Sequence, residues 1–119
     1  LELEQLRYEG FVVMHDIELE RAGNIDHLVN GPSGIFLVET KFRSYKLPSL
    51  GLMRKHAAQL REELGVWITP VLCKATIDYE PRQHRGVWIL GKPQLLGWIR
   101  AQHNRPADFE RLARWADRL

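Results

Sequence analysis

Asn24-Ile25-Asp26-His27-Leu28-Val29-Asn30, then Gly31-Pro32-Ser33-Gly34, then Ile35-Phe36-Leu37-Val38-Glu39-Thr40-Lys41 is the stretch from which the fold can be read. Two runs rich in Ile, Val, Leu and Phe flank a cluster of turn formers, the pattern of a β-hairpin. If the four-residue turn is symmetric, Asn30 faces Ile35 and Asp26 falls opposite Glu39. Side chains alternate along a strand, so Ile35, Leu37, Glu39 and Lys41 share one face, as do Leu28 and Asp26. Both strands then pass from apolar to charged at the same end of the same face. Opposed carboxylates would have Cβ atoms about 4.5–5.5 Å apart and would repel. A shared proton, a cation such as Lys41, or a divalent metal taking oxygen ligands could offset that repulsion. A one-residue slip of the turn would place the two acids on opposite faces, as strand-end acids facing solvent beside Lys41 and Arg43.

Outward from the hairpin, Phe11 to Met14 with Ile17 and Leu19 reads as a preceding strand, itself preceded by a helix tail ending near Gly10. After Pro48 and a candidate N-cap at Ser49, apolar residues recur at Met53, His56/Ala57, Leu60 and Leu64, and Gly65 supplies a stop; this is a helix. Val66 to Ala75 is an apolar strand in which Pro70 points to an edge, a bulge or an entry into pairing. Val87 to Leu90 is a short strand between glycines. Pro93 opens a helix to about His103, and Pro106 opens another over 107–119. A meander followed by a helix and further strands predicts an α/β (α+β) class, with a mixed sheet flanked by helices.

The 119 residues fit a single domain, and 45% apolar with 27% charged residues is the balance of a globular chain with a core. No apolar run reaches the roughly 18 residues of a membrane span, and no signal peptide opens the chain. The single cysteine, Cys73, agrees with a reducing compartment, so a cytoplasmic protein without a membrane partner is expected. The start at Leu1 points to a piece of a longer polypeptide. Net charge is +2, unevenly spread: residues 1–39 hold eight acids and two bases, whereas residues 41–61 hold six bases and no acid. Arg43, Lys46, Arg54 and Lys55 could follow a phosphate backbone, or simply be a solvated basic face. The histidines lack zinc-site spacing, and Trp67, Trp88, Trp98 and Trp115 read as core residues.

The acid, the turn, the apolar strand and Glu39-Thr40-Lys41, in that order, closely resemble the core of the nuclease-related domain (NERD) family. That family belongs to the PD-(D/E)XK nuclease superfamily, whose pattern is an acid on one strand and Glu-x-Lys on the next. The resemblance covers roughly residues 11 to 75. It implies a restriction-endonuclease-like core over 1–119 and a metal-dependent nuclease hydrolysing phosphodiester bonds, in DNA ahead of RNA. It further implies that Asp26, Glu39 and the Thr40 carbonyl hold Mg²⁺ or Mn²⁺. The ion would lower the pKa of a water and neutralise charge on the scissile phosphate, and Lys41 would orient that water. Relatives often carry another acid on a preceding helix, for which Glu2, Glu4 and Glu9 are the candidates, and a polar residue on the next helix, for which Gln59 is the candidate. A catalytically silent nucleic-acid-binding or regulatory module of a longer protein is the alternative, and a homodimer stays open.

Overall fold

β2 (Gly23–Gly31) and β3 (Gly34–Lys41) pair antiparallel with Asn30 opposite Ile35 and His27 opposite Val38, the register of the symmetric turn. The computed structural model describes residues 2–19, 23–41, 47–75, 78, 80–104, 114, 115 and 117. β1 (Val12–Leu19) adds antiparallel to β2. In place of an α-helical tail, a 3₁₀ helix, Glu2–Glu9, precedes β1 and ends at Gly10, whose φ of 85° suits glycine.

α1 (Leu47–Leu64) carries the chain from β3 to β4 (Ile68–Lys74), the crossover that a parallel pair requires. It begins two residues before Ser49, which therefore lies in its first turn and does not cap it. Gly65, at φ 67°, ends it by donating its N–H to the Arg61 carbonyl at 2.8 Å. Of the positions expected from Pro70, the structure shows the entry into pairing and not the edge, because β4 lies between β3 and β6 (Val87–Gly91). β6 joins only at Val71, so at Pro70 the strand still has an open side, where a residue without an N–H fits. β5 (Arg82–His84), too short and polar to show in the sequence, pairs antiparallel with β6. α2 (Lys92–Ala101) has Pro93 in its first turn, as expected. The helix expected over 107–119 lies outside the described residues, apart from helical Arg114, Trp115 and Asp117.

The result is a mixed six-stranded sheet in the order β1-β2-β3-β4-β6-β5, flanked by helices on both faces. Leu50, Met53, Ala57, Leu60 and Leu64 of α1 pack on Leu28, Leu37, Leu72 and Ile89. Leu3 and Leu6 of the 3₁₀ helix and Leu95 and Ile99 of α2 cover Val29, Phe36, Val38 and Val71 on the opposite face. Buried Cys73 belongs to this second layer. Trp67 departs from its expected core position: it is 57% exposed, with the Arg61 guanidinium 3.7 Å over its ring and its N–H on Thr69 Oγ1 at 3.0 Å. No described helix is long and apolar enough to cross a membrane.

Candidate active site

β1, β3, β4 and β6 end at one edge of the sheet, where β2 and β5 begin. At that edge the β2–β3 ladder gives way at Asp26 and Glu39, the next residues in register after His27 and Val38. Side chains take over from backbone pairing. The Asp26 N–H donates to Glu39 Oε1 at 3.3 Å, and the Thr40 N–H donates to Asp26 Oδ2 at 3.1 Å. Each acid is thus fixed by the other strand's backbone or carboxylate.

A local irregularity aims Asp26. The β1–β2 register runs to His15 opposite His27 and resumes at Ile17 opposite Ile25, skipping Asp16, which sits at φ 50°. Unbroken alternation, as read from the sequence, fails there: Ile25 and Leu28 both join the α1 layer, although they are three positions apart and strict alternation would put them on opposite faces. Breaks of this kind re-aim side chains next to active sites. Here the break leaves the Asp26 carboxylate directed at β3.

Burial, then the hydrogen bond and the charge of Asp26, push the Glu39 carboxyl up to about 7. Near neutrality one proton is therefore held between the two acids, the first of the expected ways of offsetting their repulsion. Lys41 lies two residues on, and its charge draws Glu39 back down, but as the smallest influence. Glu39 and Lys41 line a cavity of about 80 Å³ together with Asn24 of β2 and Ser49, Met53 and His56 of α1. Two carboxylates on adjacent strands offer hard oxygen donors to a divalent cation, and a backbone carbonyl, waters and a substrate phosphate are the usual completion of such a shell. Among the described residues, no group of three or more His, Cys, Asp or Glu side chains gathers for a metal.

The other sequence candidates fall as follows. Arg54 and Lys55 are exposed on α1, and Arg54 lies along the β5–β6 turn, its Cδ 3.3 Å from where a Cβ at Gly86 would stand. Arg43 and Lys46 lie outside the described residues. Gln59 is not brought to the cavity; its side chain donates to Glu63 one turn further along α1, at 3.1 Å. Glu9 is not brought there either. Arg100 of α2 grips both its oxygens, at 2.8 and 2.6 Å, because the 3₁₀ helix packs on the face opposite α1. Glu4 is engaged by Arg7 and by His15, whose Nδ1 meets His27 Nδ1 at 2.7 Å. His56, which the sequence places in the apolar stripe of α1, is 2% exposed and lines the cavity. Its position within an apolar helical stripe, one helix after Glu39 and Lys41, is the signal that could have singled it out.

A mixed sheet flanked by helices, with an acid and a Glu-x-Lys pair meeting at one edge, defines the restriction-endonuclease-like class. The chain belongs to the nuclease-related domain family, whose model matches residues 1–75. Among solved structures it is similar to a repair endonuclease from Pyrococcus abyssi, at 24% identity and a TM-score of 0.50, covering 71% of this chain and 35% of that one. It is also similar to EndoMS in a complex with double-stranded DNA, at 20% identity and a TM-score of 0.48, covering 88% of this chain and 43% of that one. The chain thus spans well under half the length of either protein. No curated protein sequence matches it.

Proposed function

We propose that this chain is a metal-dependent nuclease that hydrolyses phosphodiester bonds in DNA, with Asp26, Glu39 and Lys41 at its centre. The observation that carries the reading is the cross-braced pair of Asp26 and Glu39 at the end of the β2–β3 ladder, with Glu39 and Lys41 lining one cavity. A pair of acids held together at the cost of mutual repulsion makes sense where a cation is to be bound. DNA is the first substrate to test because the fold is shared with a repair endonuclease.

Asp26, Glu39 and the Thr40 carbonyl are the groups that would hold Mg²⁺ or Mn²⁺, which when bound supplies positive charge against the scissile phosphate and acidifies water. The Thr40 N–H fixes the Asp26 carboxylate, so that donor is oriented before substrate arrives. Glu39 must release its shared proton to act as a ligand, which ties readiness to pH near neutrality. Lys41 places an ammonium beside the pair, where it contacts a non-bridging phosphate oxygen and stabilises the charge that grows there.

The test is cleavage of labelled single-stranded, double-stranded and forked DNA with Mg²⁺, Mn²⁺ or EDTA, beside Asp26→Asn and Lys41→Ala. Metal-dependent cutting should fall by at least about 10²-fold in both variants. A wild type with intact circular dichroism that cuts nothing with any metal would give the silent binding module the lead.

A further inference from the structure

His15 and His27 are twelve positions apart, a spacing that gives no metal motif in the sequence, but the β1–β2 register sets them directly opposite each other. Val13 and Val29, two residues away on each strand, belong to the layer under the 3₁₀ helix. Alternation therefore places the histidine pair on that face, opposite to α1 and the cavity of Glu39 and Lys41. Glu4 of the 3₁₀ helix reaches the pair there, its carboxylate on His15 Nε2.

A carboxylate only accepts, so this contact keeps the proton of a neutral His15 on Nε2 and leaves Nδ1 with a bare lone pair. That nitrogen meets His27 Nδ1 at 2.7 Å, with the two rings 89° apart, so His27 supplies the one proton between them. An imidazole backed by a carboxylate on its far nitrogen has the arrangement of a metal-ligating histidine. An ion entering between the rings takes the place of the shared proton, which His27 then carries on Nε2. The surroundings favour a cation. The negative charges of Asp26 and Asp16 reach the His27 ring, and Arg7 is turned to Glu4 and the Val13 carbonyl.

The distance between the nitrogens selects the ion. Two neighbouring ligands about 2.0 Å from one metal stand about 2.9 Å apart in a square arrangement and about 3.3 Å apart in a tetrahedron. The square arrangement asks for a few tenths of an ångström beyond the observed 2.7 Å, within reach of an exposed His15 ring and a half-buried His27 ring. Nitrogen ligands in a tetragonal site suit Cu²⁺ and Ni²⁺, whereas Mg²⁺ takes oxygen. No third His, Cys, Asp or Glu joins the pair among the described residues, so water fills the other positions.

We propose that His15 and His27 form a binding site for a divalent transition-metal ion of the Cu²⁺ or Ni²⁺ kind, with Glu4 positioning the His15 ring, separate from the Asp26 and Glu39 centre. The site goes beyond the nuclease reading and does not depend on it.

The experiment titrates the chain, free of any affinity tag, with Cu²⁺, Ni²⁺ and Zn²⁺ in excess Mg²⁺, which occupies carboxylates and leaves imidazoles open. Calorimetry gives affinity, and the electron paramagnetic resonance spectrum of the Cu²⁺ form counts nitrogen ligands. The variants are His15→Gln, His27→Gln, Glu4→Gln and Asp26→Asn. One equivalent of Cu²⁺ should bind ahead of Ni²⁺ or Zn²⁺, with splitting from two imidazole nitrogens. Either histidine variant should lose one nitrogen from the spectrum and weaken binding at least about 10-fold, and Glu4→Gln should weaken it by about 10–100-fold with both nitrogens kept. Asp26→Asn should bind as the wild type does. Wild-type affinity and splitting in His15→Gln, or loss of the ion in Asp26→Asn, overturn the site. His15 is exposed, so the His15→Gln result decides even where His27→Gln fails to fold. Cleavage is not read in this experiment, so failure of the site and failure of the nuclease reading stay distinct.

Discussion

Glu39 couples the site to the stability of the fold. Its carboxyl titrates near 7 in the folded chain against an ordinary 4.5, first because it is buried and then because Asp26 is bonded to it. Between those values the folded protein holds a proton that the unfolded chain releases. The resulting stabilisation is complete below about 4.5 and is lost as pH rises through 7. Allowing for the partial exposure of the group, about 1–2 kcal/mol of metal-free stability should disappear between pH 5 and 8. The check is a set of denaturant titrations in EDTA of wild type and Glu39→Gln, whose amide neither gains nor loses that proton. The wild-type curve should fall relative to the variant, and parallel curves would remove the proton from the argument. Mg²⁺ added at pH 8 should raise the wild-type midpoint and leave that of Glu39→Gln in place, since only an ionised ligand gains from the ion.

The elements differ in how far local sequence determines them. The hairpin was legible because a short turn leaves few registers, and only one puts Leu28 and Leu37 against the same core. α1 was legible from its apolar period, except that its start precedes Ser49. β5 was not, because Arg82-Gln83-His84 is a strand only through its pairing with β6. Pro70 was legible as an entry into pairing and not as an edge, because the rule against central prolines concerns a strand paired on both sides, and β6 arrives one residue later. Of the candidate site, Asp26, Glu39 and Lys41 were singled out by register and resemblance, and the inward face of His56 by the apolar period of α1, whereas the break at Asp16 depends on packing with β1. The same distinction predicts two opposite glycine substitutions. At Gly31 an added Cβ would stand 2.1 Å from Phe11 Cδ1, so Gly31→Ala should cost about 1–3 kcal/mol. At Gly97, inside α2, nothing lies within 4 Å, so Gly97→Ala should add up to about 1 kcal/mol. Thermal melts of the pair check both signs.

At the scale of the molecule, the region that matches the family and the region that folds are not the same. The match ends at residue 75, directly after β4. Yet β4 is interior to the sheet, and its far side is closed by β6. Val87, Ile89 and Leu90 of β6 and Leu95 and Ile99 of α2 are all at most 2% exposed. At about 1.5–3 kcal/mol for each buried side chain, these five contribute as much as the 5–15 kcal/mol that holds a typical domain together. The hairpin turn is tied to the same segment, since buried Ser33 donates its hydroxyl to the Ile99 carbonyl at 2.6 Å and its own carbonyl accepts the Asn104 N–H at 3.1 Å. A fragment ending at residue 75 should therefore fail to fold, although it retains Asp26, Glu39 and Lys41, while the 119-residue chain should melt cooperatively. Circular dichroism and size-exclusion chromatography of the two decide the matter. A folded, monomeric fragment would show that α1 and the first four strands form a core by themselves.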